Sequence, residues 1–263
     1  MARKIVFTTA ALGSEPGLPG IGELAGWVGS QRGKWADLIS YLLEGSLSPQ
    51  QEAGIDITCA GGVFYKPRLL ESLIGITGLE ITGELGVDHG ALQGDCERVQ
   101  AMDRASQAAL PAPHLLGLRD AYYGDEEEAA QELYRQYRAI LRTMRDAGIP
   151  GHVLVADHAE EGELASLAGR KAFYFVRDPD RESLARVLEH QQWIAVKKGQ
   201  VDLVAGLREE YDIAGAILMD PDEESLRAVL EILDPGQVKA GGYCTGDPEV
   251  YWKDIAASAV LSR

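Results

Sequence analysis

The sequence predicts an α/β protein built as a single (β/α)8 barrel over residues 1–263, and three observations carry the prediction. In the second half, short β-rich apolar runs alternate with amphipathic segments every 20 to 25 residues or so, as expected of repeated βα units on a parallel sheet. Strand-like runs along the whole chain number eight or nine, more than an open doubly wound sheet needs. The length of 263 residues suits one barrel domain.

Lys4 to Ala11 reads as the first strand, and the Gly- and Pro-rich stretch Gly13 to Gly33 as a long functional loop after it. Lys34 to Leu43 has apolar Trp35, Leu38, Ile39 and Leu42 at helical spacing, and Gly54 to Cys59 reads as the second strand. Leu79 to Leu85 is an extended excursion. The third strand is either Ser106 to Leu110 or His114 to Leu118, since Pro111 and Pro113 interrupt the run between them. Asp125 caps a long helix that Gly148 ends.

Five strands follow: His152 to Ala156, Ala172 to Val176, Trp193 to Val196, Ile213 to Leu218 and Gln237 to Ala240. Helices are predicted at Glu160 to Leu167, Asp180 to His190, Val201 to Glu210, Glu223 to Leu233 and Pro248 to Leu261. In Asp180 to His190 the apolar Leu184, Val187 and Leu188 form one stripe for a sheet to cover.

Composition narrows the function. With 46% hydrophobic and 25% charged residues the chain is an ordinary globular one. A net charge of -16 repels phosphate and anionic lipid, which argues against nucleic-acid and membrane-surface partners. The absence of a long apolar run or secretory leader leads us to expect a cytoplasmic protein. Three cysteines, with no CxxC pair, argue against a disulfide framework and a zinc ribbon. The run from Gly20 to Gly26 fits no dinucleotide fingerprint, being one residue too long and too far from the strand.

In a barrel the chemistry gathers where strands end at their C-termini. Those positions hold Ser14, Cys59, Asp157, His158, Arg177, Asp178, Lys197, Lys198, Asp220 and Cys244. Asp157 and His158 suit proton transfer or substrate orientation, although neighbours at a strand end are expected to point apart. Arg177 and Lys197 suit a carboxylate or phosphate. Cys59 and Cys244 are thiol or soft-ligand candidates, but their spacing is not that of a metal site, and no metal ligand is assigned. The Asp-Pro pairs at Asp178 and Asp220 also serve as turn chemistry.

Four stretches, in order, resemble the catalytic barrel of cobalamin-independent methionine synthases, within the superfamily that includes uroporphyrinogen decarboxylase. Thr8-Thr9-Ala10-Ala11-Leu12-Gly13-Ser14-Glu15-Pro16 is similar to that family's opening TT-x-x-GS-x-P, with one extra residue. Gln51 to Ile57 is similar to its Q-E-x-G-I/L-D stretch. Leu110 to Pro113, with the segment through Tyr122-Tyr123-Gly124-Asp125 and its helix, resembles G-P-x-T-L and Y-x-D-x-x-E. Val153 to Asp157 stands where the family has V-Q-I-D-E-P.

The resemblance implies a barrel, with Ser14 and Asp157 at substrate-contacting positions. It also implies a zinc ion, held by an H-x-C pair, a glutamate and a late cysteine, that binds a homocysteine thiolate. Here the H-x-C strand reads Phe173-Tyr174-Phe175-Val176-Arg177-Asp178, Lys197 replaces an acid, and only Cys244 matches a ligand. The family's glutamate after the second strand is replaced by glycine in Thr58-Cys59-Ala60-Gly61-Gly62.

The expectation is a divergent relative that binds a small carboxylate- or thiol-containing metabolite, with methyl transfer as its chemistry. Asp157 and Cys244 would be catalytic, and Ser14, Cys59, His158, Arg177 and Lys197 would bind substrate. The cofactor stays open, with zinc the weakest of the options. Two other readings stand beside this one: metal-free decarboxylation of a polyacid, or a noncatalytic accessory role with a corrinoid or methyltransferase partner protein. A homo-oligomer is compatible with each.

Overall fold

The computed structural model of the protein describes residues 4–32, 35–169 and 171–262. Eight strands alternate with helices: β1 (Thr8–Ser14), β2 (Cys59–Gly61), β3 (Gln107–Pro111), β4 (His152–Ala156), β5 (Ala172–Val176), β6 (Trp193–Lys197), β7 (Gly215–Met219) and β8 (Val238–Cys244). They form two parallel four-stranded sheets, ordered β2-β3-β4-β5 and β6-β7-β8-β1. Every element of the expected α/β class is therefore present. The strand ladder among the described residues, however, runs as two sheets, not as one continuous ring.

Different contacts join the two sheets at their two seams. Between β1 and β2 there is an isolated parallel bridge, Ala10 to Ile57, with Ala11 N–H donating to Ile57 O at 2.9 Å. Between β5 and β6 a side chain stands in for backbone. The Gln191 amide accepts from Tyr174 N–H at 2.8 Å and donates to the carbonyls of Tyr174 (3.1 Å) and Trp193 (2.7 Å).

Alternation along the strands sorts the core into two layers, because successive side chains point to opposite faces. Val153, Val155, Phe175, Ala195, Ile217 and Met219 pack on one face with Tyr243 and Trp252. Their neighbours Leu154, Tyr174, Ile194, Val196, Ala216 and Leu218 pack against the helices on the other. The parity places Asp157, Arg177 and Lys197, each two residues beyond a residue of the first set, at the C-terminal edge of that inner face.

The second half matches expectation closely, with the strand expected at Gln237 to Ala240 running on to Cys244. The last helix is shorter than expected, Pro248–Ser258, because Val260–Ser262 turns out to pair antiparallel with Lys4–Val6. That pairing also splits the predicted first strand: Phe7 is buried between the pieces and donates its N–H to Ala259 O at 2.9 Å.

The first half needs more correction. Gly13 to Gly33 is not all loop: Ile21–Ser30 is a helix, and Trp27 docks it edge-on against Tyr41 at 5.3 Å. The helix expected from Lys34 begins at Leu38, capped by Asp37 accepting from Ser40 N–H at 2.8 Å, and runs through Pro49 to Ala53; Gly33 and Lys34 lie outside the described residues. Its tail is kept helical by a tertiary duty, since the buried Gln50 amide clamps both the N–H and C=O of Cys59 at 2.8 Å. β2 consequently starts at Cys59, where the predicted strand ended. The excursion is a hairpin, Leu73–Thr77 with Glu80–Val87. Of the two candidates for the third strand, the first forms β3, while Pro113–Leu116 is a 3-10 turn. Cys96 is buried inside the helix Gly90–Met102.

Candidate functional site

All eight strands point the same way, so their C-termini share one edge, and polar side chains collect there in two groups. The first centres on Glu15, just past β1. Its carboxylate accepts from Val63 N–H (2.6 Å), Phe64 N–H (3.1 Å) and the Tyr243 hydroxyl. Gly62 makes room for this: a Cβ there would lie 2.4 Å from Ser14 O and 2.7 Å from Glu15 Oε1. Burial and the Glu15 carboxylate push the Tyr243 phenol far above its ordinary value, while the charge of Arg177 acts in the opposite sense. Arg177, just beyond β5, forms no ion pair among the described residues. By contrast, Lys197 pairs with Asp178, and Lys198 with Asp222 at 3.1 Å.

The second group joins the turn after β3 to the end of β4. His114 Nε2 lies 2.8 Å from Asp157 Oδ1, and His158 Nδ1 lies 2.6 Å from the same oxygen. Asp157 and His158 thus do not point apart, as neighbours at a strand end were expected to. Behind them Glu163, 1% exposed, accepts from His114 N–H (2.6 Å) and Tyr174 OH (2.7 Å), and lies 2.9 Å from His114 Nδ1. Burial works against charge on His114, but Glu163 and Asp157 outweigh it and raise its pKa. Burial likewise opposes charge on Asp157, and hydrogen bonds with His158 and His114 bring its pKa below the ordinary carboxylate range. A groove of about 730 Å³ opens beside the group, with His114, Pro113, Tyr134 and Glu163 in its wall.

The remaining predicted residues lie in the wall. Ser14 is fully buried, and its Oγ accepts from the Trp252 indole at 3.2 Å. Cys59 and Cys244 are also fully buried. Burial raises the pKa of both thiols, and Cys244 Sγ–H points to Gly246 O at 3.7 Å. Glu15, Tyr243, His114, Glu163 and Tyr174 were not among the predicted site residues. A signal existed for His114, which follows Pro113 directly beyond β3.

The zinc centre implied by the sequence resemblance can be tested against this donor set. Its would-be ligand strand runs Phe173-Tyr174-Phe175-Val176 into the cation Arg177, with neither histidine nor cysteine, and Lys197, held by Asp178, stands in place of an acid, so that Cys244 is left as a single donor. These residues do not fit a zinc–thiolate centre.

Fold and site together define an α/β protein whose polar groups converge at the C-terminal edge of eight parallel strands. The same fold occurs in methionine-forming enzymes of known structure. A B12-independent methionine synthase from Shewanella sp. W3-18-1, in complex with selenomethionine, superposes with a TM-score of 0.65 over 97% of this chain and 96% of its own, at 16% identity. The metallated homocysteine methyltransferase MmuM from Escherichia coli does so with a TM-score of 0.50 over 96% and 95%, at 14% identity. The sequence resemblance is thus met by a shared fold along nearly the whole chain. No protein-family model matches the chain, and neither does any curated protein sequence. Among the described residues, no helix is long and apolar enough to cross a membrane.

Proposed function

We propose that the chain is a one-domain, methionine-synthase-like (β/α)8 barrel that binds a small carboxylate-bearing metabolite and acts in methyl transfer without a zinc–thiolate centre. The observation that carries this reading is Arg177: it is a guanidinium just past the end of β5, two residues beyond the inward-packed Phe175, and no carboxylate of the described residues pairs with it. Such a fork matches a carboxylate bidentately. Asp157 and His158 then face the reacting end of the ligand, while Ser14, Cys59 and Cys244 shape the wall. Barrel closure is supported by the Ala10–Ile57 bridge and the Gln191 seam. The methyl-transfer part rests on the fold shared with the methionine synthase and the homocysteine methyltransferase. Three free cysteines support a cytoplasmic location.

The polyacid reading, in which Arg177, Lys197 and Lys198 would clamp carboxylates, is weakened because both lysines are already engaged by Asp178 and Asp222. A noncatalytic role beside a corrinoid or methyltransferase protein is favoured by one observation, that each thiol at the strand ends is fully buried. Calorimetric titration with homocysteine, methionine and a carboxylated tetrapyrrole separates the readings. The expected result is binding of an amino acid that Arg177→Ala weakens by roughly 10- to 100-fold, the worth of a charge-assisted pair. Tetrapyrrole binding that depends on Lys197 and Lys198, with no amino-acid binding, would overturn the proposal.

A further inference from the structure

We propose that His114, Asp157 and His158 form a binding site for one divalent transition-metal ion of the zinc class. This goes beyond the metabolite reading and does not depend on it, because the donors are complete without Arg177 or Tyr243. The donor atoms of the three residues all lie within 4.8 Å of one another. A tetrahedral ion with bonds of about 2.0–2.1 Å draws its ligands to roughly 3.3 Å apart, so small side-chain rotations suffice.

Hydrogen-bond logic points the same way. The Glu163 carboxylate lies 2.9 Å from His114 Nδ1 and can only accept, so that nitrogen carries the proton. In the neutral ring Nε2 is then a lone pair, and it faces the carboxylate oxygen of Asp157 at 2.8 Å. Two acceptors at that separation need a positive centre between them, either a second proton or a metal ion. Oδ1 of Asp157 also lies 2.6 Å from Nδ1 of His158, and in the tautomer protonated at Nε2 that nitrogen adds a third lone pair to the same spot.

The surroundings are those of a built site. A ligating histidine ordinarily donates its far N–H to a carboxylate or carbonyl, which fixes its tautomer and raises its basicity. Glu163 does this for His114 while anchored by the His114 backbone N–H and the Tyr174 hydroxyl, and it is almost wholly buried. Asp157 and His158 are half exposed, with side-chain exposures of 49% and 56%, leaving coordination positions open for water or a small ligand. The adjoining groove reaches His114. Two imidazoles and one carboxylate select zinc or a neighbouring first-row ion over calcium or magnesium, which prefer oxygen donors. Among the described residues, the other compact set of possible donors, Glu161, Glu189 and His190, has one imidazole and is mostly exposed, and nothing comparable to Glu163 backs it.

The test uses the full chain, stripped with a chelator and titrated with Zn2+ alone against a chromophoric competitor, and with Co2+ read by its visible absorption. One equivalent of metal is expected, with His158→Ala and Asp157→Asn each weakening binding at least tenfold and altering the Co2+ spectrum. Glu163→Gln, acting through His114, is expected to weaken binding by roughly 10- to 100-fold. His190→Ala is expected to change neither. His158 is more than half exposed, so its removal leaves the fold intact, which circular dichroism verifies. Binding no weaker in His158→Ala and Asp157→Asn than in the parent protein, or no stoichiometric binding at all, would overturn the site.

Discussion

His152 opens β4 at the end of the strands opposite the site, 1% exposed, and neither ring nitrogen reaches a hydrogen-bond partner among the described residues. Burial, assisted by the charge of Arg145, lowers its pKa from 6.5 to about 4; the nearby Lys171 carbonyl offsets a small part of this. The folded protein therefore keeps this ring neutral, while the unfolded chain takes up a proton as pH falls below 6.5. A depressed folded pKa means that the site costs nothing further above pH 6.5, and that stability drains away from there down to about pH 4. At pH 5 the loss from this ring is about 2 kcal/mol relative to pH 8, approaching about 3 kcal/mol at lower pH. His152→Leu removes the titration and also the two unsatisfied nitrogens, themselves worth roughly 1–3 kcal/mol. Urea unfolding of both proteins at pH 8 and pH 5 isolates the effect, since other titrating groups cancel in the double difference. The variant is expected to gain about 2 kcal/mol on the parent between the two pH values. An equal pH dependence in both proteins, or a His152 imidazole that titrates near 6.5 by NMR, would refute the reasoning.

Two further outcomes follow from the same structure. Gln191→Leu strips the β5–β6 seam of three hydrogen bonds and leaves the Tyr174 backbone unpaired; a loss of roughly 2–4 kcal/mol in urea unfolding is expected, and a change below about 1 kcal/mol would show that the seam needs no bridge. The thiols of Cys59, Cys96 and Cys244 are buried, with Cys96 pushed up to about 12 by burial and by nearby Asp95 and Glu97. A colorimetric disulfide reagent at pH 8 should find none of them in the native protein and all three after denaturation; one fast native thiol would contradict the wall assignment.

Much of the fold was legible because its signals are local. Val153-Leu154-Val155 alternates between two buried layers, the stripe of Leu184, Val187 and Leu188 lies against a sheet, and Asp125 caps its helix as its position predicts. Where local signals misled, a tertiary contact had overruled them. Gly45, Ser48 and Pro49 suggest a break, yet the helix runs on because Gln50 must reach Cys59. The glycines before Trp27 suggest loop, yet an aromatic contact docks a helix there.

The site divides along the same line. By itself the sequence determined that Asp157, Arg177 and Lys197 would stand at strand ends, because strand length and alternation are written in the order of residues. Only the tertiary structure decided what each one meets there. Among the described residues Arg177 is left without a carboxylate while Lys197 is paired, Glu15 meets Tyr243 across 228 positions, Ser14 meets Trp252 across 238, and His114 meets Glu163 across 49. Such meetings depend on how βα units stack side by side, and no periodicity within a unit records which side chain its neighbours will bring.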